Sequence, residues 1–134
     1  MLIQYMKFIF LILLFGLSKT EEISNINGAF SISRIHYGGG GDWYSDKSSI
    51  PNLLKYVSDN TNIITKKEQQ IVKIGDDNFY SNSYFYITGH GNIKLSEEEI
   101  IILRQHLIEG AFLHVDDNYG MDIPFRKLVS KMFP

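Results

Sequence analysis

"YFYITGHGNIKLSEEEIIILRQHLIEGAFLHVDDNYGMD", residues 84–122, reads as a strand, a glycine-flanked turn, a capped helix and a second strand. Tyr84 to Thr88 are aromatic or β-branched on both faces, as a strand covered from two sides requires. Ser96-Glu97-Glu98-Glu99 has the form of a capping box, in which the Ser96 hydroxyl accepts from the Glu99 N–H and Glu99 reaches back. The three acids also sit where a helix dipole favours negative charge. Ile100, Leu103, Leu107 and Ile108 would line the buried face, and Gly110 is the expected C-terminal stop. "AFLHV" (111–115) is then a second buried strand, and a strand–helix–strand unit of this kind pairs its strands in parallel.

The same alternation extends outward. "AFSISRI" (29–35) puts Phe30, Ile32 and Arg34 in one phase of a short strand. "SSIPNLLKYVSDNT" (48–61) reads as a helix capped by Ser49, with Pro51 in its first turn and Ile50, Leu53, Leu54 and Val57 on one face. "QQIVKIG" (69–75) is a short strand, "DDNFYSNS" (76–83) a loop, and "PFRKLVSKM" (124–132) a helix preceded by Asp122 as its cap. The order predicts an α/β domain with a mostly parallel sheet and helices on both faces. Such sheets bind ligands beyond the carboxyl ends of their strands. Three irregular loops, 36–46, 88–95 and 116–123, leave those ends, so they are expected to form one shared cleft.

Composition narrows the function. The chain has 134 residues, enough for one domain. Its formal charge is −2 and no run of Lys and Arg occurs, which argues against a nucleic-acid face. It has no cysteine, so disulfides, thiolate metal sites and a thiol nucleophile are all excluded. "MLIQYMKFIFLILLFGLSKTEE" carries a single positive charge, Lys7, before an apolar run from Phe8 to Leu17. That run is shorter than the roughly 20 residues a membrane span takes, and it suits a signal peptide. The expected organisation is a signal peptide over 1–18 cleaved after Ser18, a linker over 19–28 and the domain over 29–134. Export, to a periplasm, is expected, with no transmembrane span after cleavage; the alternative is an uncleaved membrane anchor.

"YGGGGDWYSD…IPNLL", "YFYITGHGN", "LSEEE" and "GAFLHVDDNYGMD" resemble, in that order, the bacterial domain of unknown function 4159. The resemblance covers residues 29–134. It implies similarity to the class I glutamine amidotransferase-like superfamily and a flavodoxin-like three-layer α/β/α fold. No activity comes with it. In the family the domain runs beyond the equivalent of Phe133-Pro134, so the resemblance implies a chain incomplete at its C-terminus, with a sheet edge through which it could self-associate. Glutamine-hydrolysing members of the superfamily place a cysteine on a strand-to-helix turn. This chain has Thr88-Gly89-His90-Gly91 there, which excludes thiol-based amidotransfer.

The candidate site residues follow from the loops. Gly89 and Gly91 would let a ligand approach backbone N–H groups, with His90 between them as a proton-exchanging group and Asn92 beside them. Asp116, Asp117 and Asn118 offer hard oxygen atoms for catalysis or for a divalent ion. If the strand persists, Asp116 and Asp117 point to opposite faces, and either could instead cap the next helix. Gly39 and Gly40 lie in a run that lacks a phosphate-loop pattern, and a hinge presenting Asp42, Trp43 and Tyr44 is expected. Trp43, Tyr44 and Tyr119 could form a stacking wall for a sugar or aromatic ligand, or pack the loop down. His114 is expected to be a hydrogen-bonded core histidine and His106 a solvated one, while Tyr80, Tyr84 and Tyr86 pack the sheet. Two functions remain. One is a cleft binding a polar ligand or protein partner of unstated identity. The alternative is a hydrolase-type enzyme in which His90 is general base beside Asp42, Asp116 or Asp117, with a divalent metal as one option. No cofactor is indicated.

Overall fold

The computed structural model describes residues 28–134; the expected signal peptide and most of the expected linker lie outside them. Its elements run β1 (Ser33–Ile35), α1 (Ser49–Asn60), β2 (Gln70–Val72), α2 (Asp77–Tyr80), β3 (Tyr84–His90), α3 (Glu97–Ile108), β4 (Phe112–Tyr119) and α4 (Asp122–Met132). The strands form one sheet in the order β2-β1-β3-β4, and every pairing is parallel. This is an α/β flavodoxin-like architecture. No described helix is long and apolar enough to cross a membrane.

Helices cover the sheet from both sides because its side chains alternate. On the front face, Ile32 and Tyr86 pack against Ile50 and Leu54 of α1. On the back face, Ile35, Phe85 and Ile87 meet Phe79 of α2, Ile100 and Leu103 of α3, and Leu128 and Met132 of α4. Phe79 stacks on Phe85 with ring centroids 4.6 Å apart.

Several local expectations change. Residues 76–83 are not all loop: α2 forms there because fully buried Phe79 needs a turn to reach the core. In α1 only Ile50 and Leu54 are buried, since one sheet face is too narrow to cover Leu53 as well. Ser49 is not its cap but its first residue, and its hydroxyl donates to the Asp46 carbonyl at 2.8 Å. In α3 the capping box is present and Gly110 follows the helix with φ +109°. Ile108, however, faces solvent, and Ile102 packs on the core in its stead. His106 is not solvated; its ring lies among Phe79, Tyr80 and Phe85, and Nε2 is 2.8 Å from the Asn82 carbonyl. β4 contains no fully buried residue, because it is the last strand in the sheet order and α4 covers only its back face.

Arg34 is the feature that positions the loops. It follows Phe30 and Ile32 in the inward phase of β1 and is only 1% exposed. Its five N–H donors have five acceptors: Gln69 Oε1 at 2.8 Å, the Trp43 and Ser45 carbonyls at 3.0 and 2.6 Å, the Asp46 carbonyl at 3.1 Å and Ser49 Oγ at 3.3 Å. Tyr86 lies beneath the guanidinium, 5.2 Å from ring centroid to Cζ. One buried cation therefore gathers the whole turn between β1 and α1. Replacing Arg34 by Met leaves the inward-facing Trp43 and Ser45 carbonyls without donors, the Asp46 carbonyl keeping Ser49, and should cost about 3 kcal/mol in urea unfolding, near the penalty for breaking a buried charged network. A loss under ~1 kcal/mol would show that the turn holds itself.

Candidate functional site

The β1–α1 connection leaves for the front of the sheet and the β3–α3 connection for the back. β1 and β3 are neighbours whose connections leave for opposite faces, which makes this the topological switch point, the place where such folds bind ligands in a crevice between the connections; here the two stay tied across it. Asp42 comes from the first connection and His90 from the end of the second strand.

These two residues form a dyad. His90 Nδ1 lies 2.9 Å from Asp42 Oδ2, and the His90 backbone N–H donates to Asp42 Oδ1. A carboxylate only accepts, so the Nδ1 edge must donate, and in the neutral ring Nε2 keeps its lone pair. The imidazole is 56% exposed. The His90 backbone N–H, and then its ring, hold the Asp42 carboxyl below the usual carboxylate range.

Close backbone packing fixes the dyad. Lys94 N–H donates to the Gly38 carbonyl at 2.8 Å, tying the glycine run to the loop after β3. A Cβ on Gly39 would fall 2.7 Å from the Lys94 backbone nitrogen, so a glycine is needed where the loops cross. The run is thus a packed crossing rather than the expected hinge, with Gly40 at its open outer side. Gly89 has φ +150°, and a Cβ there would strike the Tyr37 hydroxyl and approach Asp42 Oδ1 to 3.0 Å. That hydroxyl is buried and donates to the Thr88 carbonyl at 3.0 Å; burial, with Asp42 nearby, pushes its pKa up to about 12.

The strands persist past their expected ends. β3 continues through His90 and β4 through Tyr119, so Asp116 to Tyr119 are strand residues. Asp116 lies on the front and accepts from the Tyr86 hydroxyl at 3.2 Å. Asp117 takes the N–H groups of Met121 and Asp122 at 2.9 and 3.0 Å, filling the capping role expected of Asp122. Beyond that point the ladder slips: Gly89 pairs with Asp117 but His90 with Tyr119, leaving Asn118 as a bulge. Asn118 donates to Asp46 Oδ2 at 2.6 Å and to Ser45 Oγ at 3.1 Å, and its carbonyl oxygen lies 3.4 Å from the Thr88 hydroxyl. Gly91 N–H donates to the Tyr119 carbonyl at 3.0 Å, and Asn92 is exposed beside it.

The three loops therefore meet, as expected. Trp43 does not face the crevice freely; it stacks on His36 at 4.1 Å and packs on the core. Tyr44 and Tyr119 remain in solvent, and His114 is half-buried with Nδ1 3.4 Å from the Tyr84 hydroxyl. No three His, Asp or Glu side chains among the described residues are grouped to hold a metal ion. A hollow of about 540 Å³ lies on the other side of β4, between Val115 and Phe125. Its Asp117 is occupied by helix amides and its Arg126 by Asp122, whereas the His90 ring keeps its Nε2 edge open. Arg34, Asp46 and Thr88 join the site's scaffold; the signal for Arg34 was an arginine in phase with Phe30 and Ile32.

A parallel α/β domain with an imidazole–carboxylate pair at its switch point is the class these features define. The profile of the family described as Domain of unknown function (DUF4159) matches residues 31–134, and the chain belongs to that family. No curated protein matches the chain.

Two measurements probe the dyad. Gly89→Ala should cost about 2 kcal/mol through its left-handed backbone and displace Tyr37 and Asp42, seen as a lost His90–Asp42 hydrogen bond in imidazole nitrogen NMR. Asp42's depressed pKa contributes stability above the unfolded value near 4, and that contribution is lost as pH falls through the folded value. The advantage of the natural chain over Asp42→Asn in urea should accordingly be present at pH 5 and shrink on acidification.

Proposed function

We propose that this domain binds a polar ligand in the crevice between the β1–α1 and β3–α3 connections, with His90 Nε2 as the recognising group. The observation that carries this is the dyad itself. Asp42 takes both the ring and the backbone of His90, which fixes the imidazole while its outer nitrogen stays open. Ser45, Asp46 and Asn118 supply further hydrogen-bonding groups already oriented by one another.

The same pairing supports a second reading. A carboxylate that fixes the imidazole tautomer also makes Nε2 a general base, and His90 would then take a proton from water or a hydroxyl in a hydrolase-type reaction. We place the domain outside the cytoplasm, on the strength of the apolar run from Phe8 to Leu17 after Lys7.

A fragment screen by amide NMR tests the binding reading. Small polar fragments should perturb Asp42–Asp46, His90–Asn92 and Asn118–Gly120, and His90→Ala should abolish those responses while the amide spectrum of the rest of the domain keeps its folded pattern. Hits confined to the hollow between β4 and α4 would overturn it. Turnover of a chromogenic ester that vanishes in the same variant would select the general-base reading.

A further inference from the structure

We infer that the ligand is a neutral carbohydrate chain, held by Tyr44 and Tyr119 on either side of His90; this rests on the crevice being a polar-ligand site. Tyr119 is 80% exposed and Tyr44 55%. Tyr119 ends β4 with its ring in water, and Tyr44 rests edge-on against Trp43, ring centroids 5.7 Å apart, with more than half of its surface in water. The positions are linked. Tyr119 is the ladder partner of His90, and paired residues project to the same face of a sheet. Tyr44 directly precedes Ser45, whose hydroxyl receives the Asn118 amide, and Asn118 directly precedes Tyr119. The bulge at Asn118 is what brings Tyr119 opposite His90: without the extra residue Asn118 would occupy that place.

Charge then selects the ligand. On the His90 side the connections carry Asp42, Asp46 and Asp116 against one lysine, Lys94. Arg34 beneath the turn spends its donors on Gln69, the turn carbonyls and Ser49, and Asp117 and Asp122 lie at the hollow on the other side of β4. A phosphate, a uronic acid or a nucleotide would meet repulsion across that rim. A cation would want two or more carboxylates free to close on it. Asp42 is committed to His90, Asp117 to the amides of α4 and Asp122 to Arg126. What remains is single oriented acceptors on Asp46 and Asp116, the imidazole Nε2, and two aromatic faces. Hydroxyl groups donate to such acceptors one at a time, while the apolar C–H face of a pyranose ring lies against a tyrosine. An extended, uncharged sugar chain matches both demands.

Neutral hexasaccharides (cellohexaose, chitohexaose, maltohexaose and mannohexaose) are the probes, read by saturation-transfer NMR and by amide shifts of the full chain. At least one should bind with shifts at residues 42–46, 90–92 and 118–120. Tyr119→Ala and Tyr44→Ala should each weaken it roughly tenfold, and Tyr119→Phe should retain the ring and most of the affinity. Unchanged melting of these exposed-site variants separates lost contact from lost fold. Binding by none of the four sugars, binding unaffected by both alanine variants, or tighter binding of hexalysine at the same loops would each overturn the proposal. If polar fragments still bind around His90 while every sugar fails, the carbohydrate inference falls and the crevice reading stands. If neither binds there, both fall.

Discussion

A cation buried beneath a turn is the constraint from which the upper end of this molecule is built. The Trp43 and Ser45 carbonyls point inward, outside any helix or ladder, and such groups are stable only if donors wait for them. Arg34 supplies those donors from the neighbouring strand. Burial alone lowers its pKa, and Asp46, together with the Tyr86 ring beneath it, offsets part of that penalty. The planar fork is what allows one side chain to hold four segments: the β1–α1 turn, the first turn of α1 through Ser49, the approach to β2 through Gln69 and, by way of Asp46, the bulge at Asn118. Lysine has too few donors, and they lie in no plane. The dyad thus depends on Arg34, since Asp42 enters the turn that Arg34 closes.

A second constraint is the interlocking of two connections that must leave on opposite faces. α1 crosses to the front and α3 to the back, so their leading loops would splay apart. They are instead pinned at the Gly38–Lys94 bridge, with Gly39 and Gly89 removing the side chains that would hold them apart. Tyr37 fills the space beneath. Its buried phenol stays protonated through neutral pH and can therefore donate to the Thr88 carbonyl without adding charge under the dyad.

The architecture was legible where periodicity and capping agree. The unit from Tyr84 to Tyr119 has a strand dense in aromatic residues, a complete capping box and a terminating glycine, and its strand–helix–strand order and parallel pairing form as read, although its second strand is only half-buried. The convergence of the three connections was legible too, because it follows from parallel order alone. Pairwise contact was not. Ile108 fits the apolar stripe of α3 yet faces water, while His106, polar by composition, is drawn among Phe79, Tyr80 and Phe85. Phe79 turns a polar segment into a short helix, since one fully buried ring outweighs six polar neighbours. The glycine run looked like a hinge because a glycine needed for close approach and one needed for motion are the same residue in sequence. Only the chain it crosses, at Ile93 and Lys94, tells them apart.

The stretch Asp116-Asp117-Asn118-Tyr119 shows how one extra residue divides labour. With regular alternation, Asp116 and Asn118 would share the front face and Asp117 and Tyr119 the back. Asp117 does turn to the back, where it caps α4 and leaves the crevice. The slip in register then returns Tyr119 to the front beside His90 and turns Asn118 towards Ser45 and Asp46. Two adjacent carboxylates that resemble a metal pair in sequence are thereby separated onto opposite faces of the sheet. Asn118 becomes the tie between the outer loops and Tyr119 the ladder partner of His90. Acidity at this strand end serves helix capping and loop anchoring first, and the groups left open beside it are an oriented ring nitrogen and exposed phenols.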